Sequence, residues 1–136
     1  MAIKQLTVFV ENKRGRLAEI TSSLAEENID MSALSIADTK DFGILRLIVN
    51  KPGEALEVLR GKGFLVQITE VVGIKIPDRS GELARALNAL DNAGINMEYL
   101  YAFISREGES VFIALRVEDN YAAENVLTNA GFEVLG

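Results

Sequence analysis

Two short polar turns carry the residue types in this sequence that are best suited to binding a charged small molecule. The first is Asn12-Lys13-Arg14-Gly15-Arg16-Leu17 and the second is Asp78-Arg79-Ser80-Gly81-Glu82-Leu83. A glycine just before a helix lets a ligand approach the backbone closely, and the N–H groups of the first helical turn can bind a carboxylate. Asn or Asp three residues earlier can accept a hydrogen bond from an ammonium group. Each turn therefore suits the two ends of a zwitterion, although the same pattern is also an ordinary turn and helix-cap signal.

The two turns differ in charge. Lys13, Arg14 and Arg16 place positive charge at a helix N-terminus, where the helix dipole disfavours it. A bound anion would relieve this conflict, and solvation of surface charge is the competing explanation. The second turn carries Asp78 and Glu82, as an ordinary helix N-terminus does. We therefore predict two sites that are not equivalent: the first favours a carboxylate, and the second is degenerate or serves an interface.

The turns belong to a tandem repeat that spans the chain. Seven residues between Gly15 and Leu34 recur 66 positions later, and eight residues between Leu47 and Val66 recur 68 positions later. Identity, order and spacing together indicate duplication of one unit of about 67 residues. The sequence thus predicts two domains, 1–69 and 70–136, with a two-residue insertion in the second, in a hairpin turn at 105–108.

The patterns within one unit predict the order βαββαβ. In the first copy, alternating apolar residues indicate strands over 6–10, 31–37, 43–49 and 64–68, with a turn over 38–42. Helical spacing of apolar residues indicates helices that begin near Leu17 and Pro52. Asn28, and Gly94 in the second copy, stand where a residue past a helix end adopts the left-handed conformation. Right-handed crossovers predict an α+β fold of two ferredoxin-like modules, each a four-stranded antiparallel sheet with two helices on one face.

Composition excludes several functions. The chain has no histidine and no cysteine, which removes Ser-His triads, cysteine nucleophiles and zinc sites. The net charge is −6, with all of the excess acid in residues 69–136, and nucleic acid binding needs a basic surface. No apolar run has the length of a signal or membrane span. We expect a cytoplasmic protein without cofactor or metal, and no nucleic acid or membrane partner.

Aromatic residues of the second copy lie on the strand face opposite to the predicted helices. They are Tyr99, Tyr101, Phe103 and Phe112. A sheet face in water is normally polar, so we expect this face to pack on the other module or on a partner chain. Scattered surface aromatics are the alternative.

The repeated pattern resembles the ACT domain. The matching stretches are Asn12 to Leu17 with Asn28-Ile29-Asp30-Met31, Asp78 to Leu83 with Gly94-Ile95-Asn96-Met97, and Gly-Phe-x-Val at 63–66 and 131–134. The resemblance implies a non-enzymatic homodimer that senses a small molecule, commonly an amino acid, and regulates a metabolic enzyme. It also implies a ligand at the interface of paired domains, against the glycine turn and the start of the second strand.

Carried over residue by residue, the resemblance assigns ligand contacts to Asn12, Gly15, Leu17, Asp30, Met31, Asp78, Gly81, Leu83, Asn96 and Met97. The remaining candidates are the charged and polar turn residues Lys13, Arg14, Arg16, Ser80 and Glu82. The residue before the glycine is often proline in the family, whereas it is Arg14 in one copy and Ser80 in the other.

Other functions share this fold, because a ferredoxin-like module does not fix function. Arg14 with Asn12 loosely resembles an acylphosphatase site, but the glycine-rich loop of that family is absent. The aromatic face resembles an RNA-recognition module, but the basic residues are missing. A third alternative is a regulatory subunit with no ligand of its own, as in acetolactate synthase, whose small subunit begins with an ACT domain.

Overall fold

The computed structural model describes residues 3–11, 13–38 and 41–136. Contacts divide this part of the chain into two units, Lys4–Thr69 and Glu70–Gly136, with Ile3 joining the second. The described residues form seven strands and four helices, in the order β1 (Ile3–Glu11), α1 (Arg16–Glu26), β2 (Met31–Asp38), β3 (Phe42–Val49), α2 (Pro52–Gly61), β4 (Leu65–Pro77), α3 (Glu82–Asn92), β5 (Met97–Glu107), β6 (Ser110–Val117), α4 (Asn120–Asn129) and β7 (Glu133–Leu135).

In the first unit, β3 pairs antiparallel with both β1 and β2, and β1 also pairs with β4. Alternate residues of the strands face the two helices, as the period of two requires. Their side chains form one buried core with the apolar stripes of α1 and α2, made of Leu6, Val8, Val10, Leu45, Leu47, Ile20, Leu24, Ala55 and Leu59 among others.

In the second unit, β6 pairs antiparallel with β4 and β5, and β7 pairs with the other side of β4. This gives the order β5-β6-β4-β7. The core repeats that of the first unit, with Ile74, Ile113 and Leu115 from the strands and Ala86, Leu90, Ala123 and Leu127 from the helices.

The α+β class is confirmed, but the prediction of separate four-stranded sheets is wrong in one detail. The fourth strand of the first copy and the first strand of the second are one strand, β4, thirteen residues long. No glycine or proline interrupts residues 65–72, so nothing in this stretch favours a turn. The chain therefore stays extended where one repeat ends and the next begins.

Several local predictions can be compared with the backbone. Asn28 and Gly94 have φ values of 55° and 75°, which confirms the left-handed residue after α1 and α3. The turn predicted over 38–42 includes residues 39 and 40, which lie outside the described part.

In the part that is described, no helix is both long and apolar enough to cross a membrane.

On the predicted aromatic face of the second unit, burial is uneven. Tyr101 is 8% exposed, Tyr99 is half-buried, and the rings of Phe103 and Phe112 meet edge to face with centroids 5.8 Å apart. Such a pair is a favourable aromatic contact. The proposal that this face packs on another module or chain stays a prediction.

Candidate functional site

The two predicted turns fold alike at their glycines. Gly15 is the N-cap of α1 with φ 85°, and Gly81 is the N-cap of α3 with φ 88°. This left-handed conformation costs an L residue roughly 1–2 kcal/mol, whereas glycine adopts it freely. A Cβ at either position would meet no atom within 4 Å. The backbone conformation, rather than crowding, therefore requires glycine, and the space in front of both turns is open.

Glycine N-caps provide no side-chain oxygen for the first N–H groups of the two helices. In α1 the N–H of Arg16 donates to the Lys13 carbonyl over 3.4 Å, and the N–H of Leu17, next in the first turn, has no acceptor within the helix. Helix α4 differs, because Asp119 Oδ1 accepts from the N–H of Ala122 at 3.1 Å. The N-terminus of α2 also lacks a side-chain cap, and a proline stands at its start. The uncapped N-termini of α1 and α3 can accept an external anion.

The positive charge of the first turn is partly neutralised by the chain's own carboxylates. Glu11 lies 3.0 Å from Lys13 Nζ and 3.4 Å from Arg16 Nη2. Arg16 Nη1 also donates to Glu19 Oε1 at 3.0 Å. The hydrogen bond and charge of Lys13, together with the charge of Arg16, hold the pKa of Glu11 below its usual value of 4.5. The expected conflict with the helix dipole is therefore relieved for two of the three cations, and Arg14 is exposed.

Each unit also stacks one arginine on a phenylalanine. The guanidinium of Arg16 lies 4.8 Å from the centroid of Phe64, and that of Arg85 lies 4.1 Å from the centroid of Phe132. Both distances fall within the range of a cation–π contact. Phe64 and Phe132 correspond in the repeat, but the two arginines do not.

The second turn reverses the ion pair of the first. The repeat aligns Glu82 with Arg16 and Arg85 with Glu19. Glu82 Oε2 lies 3.0 Å from Arg85 Nη2, and Glu82 Oε1 lies 3.2 Å from Arg79. The helix N-terminus of the second copy thus carries a carboxylate, which the helix dipole favours. This difference agrees with the predicted non-equivalence of the turns, although binding itself stays a prediction.

The outcome for the other predicted site residues of the two turns, including the acceptors for an ammonium group, is as follows. Asn12 lies outside the described residues. Asp78 is exposed, and its backbone N–H donates to the Glu109 carbonyl at 2.7 Å. Ser80 is also exposed. Leu17, beside the first turn, is 38% exposed.

The predicted contacts where β2 and β5 begin have the following surroundings in the two copies. In the first copy the N–H of Asp30 donates to Asn50 Oδ1 at 2.9 Å, and the N–H of Asn50 donates to the Asp30 carbonyl at 3.1 Å. In the second copy Asn96 lines a cavity of about 190 Å³ with Glu118 and Asp119. Met31 and Met97 pack against the two cores, and so does Leu83 of the second turn.

Within one unit, the glycine turn and the start of the second strand lie at opposite ends of the sheet. Glu11, just before the first turn, pairs with Phe42, whereas Met31 pairs with Val49. These partners are the two ends of β3, seven residues apart, which corresponds to about 23 Å. In the second unit Pro77 pairs with Ser110 and Met97 with Val117, which gives the same separation. The structure therefore brings together the residues of each turn, but not the turn and the strand start of one unit.

Sequence reasoning missed several residues whose side chains form the ion pairs and cation–π contacts at the turns. Glu11 and Glu19 were not candidates, and neither were Arg85 or the two phenylalanines. A signal was present, because the repeat offset places opposite charges at positions 16 and 82 and again at 19 and 85. Reversal of both charges at three-residue spacing on a helix indicates an ion pair in each copy.

Solved structures that are similar to the chain include the following three. A protein from Bacteroides thetaiotaomicron is 41% identical, with a TM-score of 0.92 over 99% of this chain and 92% of that one. The ligand-free regulatory subunit of aspartate kinase from Thermus thermophilus is 18% identical, with a TM-score of 0.69 over 94% and 92%. The corresponding subunit from Thermus flavus is 19% identical, with a TM-score of 0.65 over 93% and 91%. The two Thermus proteins show a shared fold.

Comparison with curated protein sequences gives no match. The family model for an ACT domain pair matches residues 1–134, nearly the whole chain, as the two glycine turns and the repeated βαββαβ order led us to expect. The chain therefore belongs to the ACT domain family, as a tandem pair of ACT domains.

Proposed function

We propose that this ACT domain pair binds an amino acid and that the bound state regulates a metabolic enzyme. The observation that carries the proposal is the repeated turn, in which a left-handed glycine opens the N-terminus of a helix to solvent. Backbone N–H groups and the helix dipole at such a position favour a carboxylate. The aspartate kinase regulatory subunits, which share this fold over more than nine tenths of their length, support a regulatory role.

The first turn is the better carboxylate site of the two. Arg14 adds an exposed guanidinium beside the α1 N-terminus, whereas the second copy has Ser80 at the corresponding position. Arginine suits the planar geometry of a carboxylate and can bind it through two hydrogen bonds. In the second turn Glu82 already stands at the helix N-terminus, and its charge opposes that of an incoming anion.

A ligand that also contacts a second-strand start must take its two sets of contacts from different domains, because these groups lie far apart within one unit. A homodimer provides additional domains for this purpose. Ligand binding would then favour one pairing of domains by its differential affinity for that state, and a partner enzyme would respond to the pairing.

A thermal-shift screen of the full chain against the twenty proteinogenic amino acids tests the proposal. A ligand that binds only the native state stabilises it by about 2.7 kcal/mol at a hundredfold excess over its dissociation constant. Calorimetric titration of the amino acid that gives the largest shift then compares Arg14→Ala with Asp78→Ala. We expect a larger loss of affinity for Arg14→Ala, and equal losses would count against the assignment of the carboxylate to the first turn.

The alternative is a regulatory subunit that has no ligand of its own and acts by docking on its enzyme. Large apolar side chains of the first unit favour it, since Ile36, Phe42 and Leu65 are 49%, 50% and 66% exposed. Exposed apolar surface is typical of protein interfaces. If none of the twenty amino acids raises the melting temperature, this alternative replaces the ligand-binding proposal.

A further inference from the structure

Glu11 is the residue that organises positive charge at the first turn. It ends β1, and its carboxylate reaches forward to Lys13 at 3.0 Å and to Arg16 at 3.4 Å. One carboxylate thus joins the last strand residue, the turn and the first helical residue. Two of the three cations near the α1 N-terminus have this internal anion as a partner.

The guanidinium of Arg16 is held from further directions. Its Nη1 donates to Glu19 at 3.0 Å, and the group stacks over the ring of Phe64 at 4.8 Å. These contacts direct Arg16 along its own helix and toward the core. Among the residues that the structure describes, Arg14 has no ion pair and is exposed. Arg14 is therefore the cation of the first turn that is available to an external carboxylate.

The second copy contains no equivalent arrangement. The repeat offset places Pro77 at the position of Glu11 and Ser80 at the position of Arg14. Arg79, which corresponds to Lys13, is paired with Glu82 at 3.2 Å. The arrangement of one carboxylate that pairs with two cations and leaves a third available is therefore specific to the first turn.

We propose that Glu11 sets the charge of the ligand that the first turn accepts. By pairing with Lys13 and Arg16 it leaves Arg14 for one carboxylate, so a ligand with a single carboxylate is preferred to one with two. The Glu11 carboxylate also repels a second negative charge at this end of β1. This inference rests on the proposed function, because it concerns selectivity at the proposed carboxylate site.

The test compares two simple probes, acetate and succinate, on the full chain at constant ionic strength. The backbone amide chemical shifts of Leu17 and Ala18 report binding at the turn. The variants are Glu11→Gln, which frees Lys13 and leaves Arg16 paired with Glu19 alone, and Arg14→Gln, which removes the proposed receptor. Glu26→Gln is the matched control, since it removes the same charge at the far end of α1.

We expect Glu11→Gln to raise the preference for succinate over acetate by roughly threefold to tenfold, the effect of one to two exposed charge pairs. Glu26→Gln should leave the preference unchanged, and Arg14→Gln should weaken binding of both probes. Equal preferences in Glu11→Gln and Glu26→Gln would overturn the inference, and so would the absence of binding at these amides in both the wild type and Glu11→Gln. A failed amino acid screen together with the expected change in Glu11→Gln would reject the proposed function and leave this inference standing.

Discussion

The reversed ion pairs of the two units predict that the first can be rebuilt with the charges of the second. The single change Arg16→Glu removes the pairs with Glu11 and Glu19 and the stacking on Phe64. The half-exposed pair with Glu19 contributes about 0.2–1 kcal/mol, and the cation–π contact about 0.5–1 kcal/mol. A carboxylate at the first helical position recovers about 0.3–1 kcal/mol from the helix dipole. The net expectation is a loss of about 1 kcal/mol in the free energy of unfolding.

The double variant Arg16→Glu with Glu19→Arg should recover most of that loss. In the second unit the equivalent arginine, Arg85, pairs with Glu82, stacks on Phe132 and donates to the Ala130 carbonyl at 2.7 Å. A new arginine at position 19 can reach Phe64 in the same way. We therefore expect the double variant to regain the ion pair and the stacking but not the contact with Glu11, whose counterpart in the second unit is Pro77, with a coupling energy of about 1 kcal/mol.

Equilibrium urea denaturation measures the free energy of unfolding of the wild type, both single variants and the double variant, which together form a double-mutant cycle. The opposite exchange, Glu82→Arg with Arg85→Glu, is the matched control in the second unit. The reasoning is refuted if the double variant loses as much stability as the sum of the two single variants, because the pair would then be uncoupled.

Three further predictions test other parts of the structure. Gly15→Ala should lower the free energy of unfolding by about 1–2 kcal/mol. Gly53→Ala lies in the first turn of α2 with open space around it, and it should raise the free energy of unfolding by up to about 1 kcal/mol. Urea denaturation that gives the same sign for both variants would contradict the left-handed turn. Gly73→Ala should lower the melting temperature because its Cβ would meet Ile3 Cδ1 and would lie 3.3 Å from Leu135 Cβ. Adding Ile3→Ala should restore part of the loss, and an unchanged melting temperature in Gly73→Ala would contradict the packing. Because the folded pKa of Glu11 is lowered from 4.5, its stabilising effect is present above that value and is lost as the pH falls through the folded pKa. Melting temperatures of the wild type and Glu11→Gln should therefore differ near neutral pH and converge in acid, and a constant difference would exclude the ion pairs as its cause.

The parts of the fold that follow from local patterns could be predicted from the sequence. The spacing of Leu17, Ile20 and Leu24 predicted α1, and Asn28 predicted the left-handed residue beyond it, because both depend on short-range geometry. The junction between the repeats was harder to predict. Whether β4 bends or continues depends on strand pairing on both of its sides, and residues 68–71 contain no local signal for it.

The turns likewise have features that follow from local sequence patterns and features that depend on the tertiary fold. Gly15 and Gly81 were predictable, since a helix start preceded by glycine is a local pattern. The partners of the cations were not, because Arg16 pairs with residues on a strand and on its own helix and also meets Phe64, which is distant in sequence. Such contacts follow from the fold, although comparison of the two repeats would have indicated the exchanged pair.

The most direct test of the central claim is a crystal structure of the full chain with the amino acid that raises its melting temperature most. The account predicts the ligand carboxylate within hydrogen-bonding distance of the Leu17 and Ala18 N–H groups and of the Arg14 guanidinium. A ligand bound away from the Gly15 turn, or no amino acid that raises the melting temperature, would contradict it.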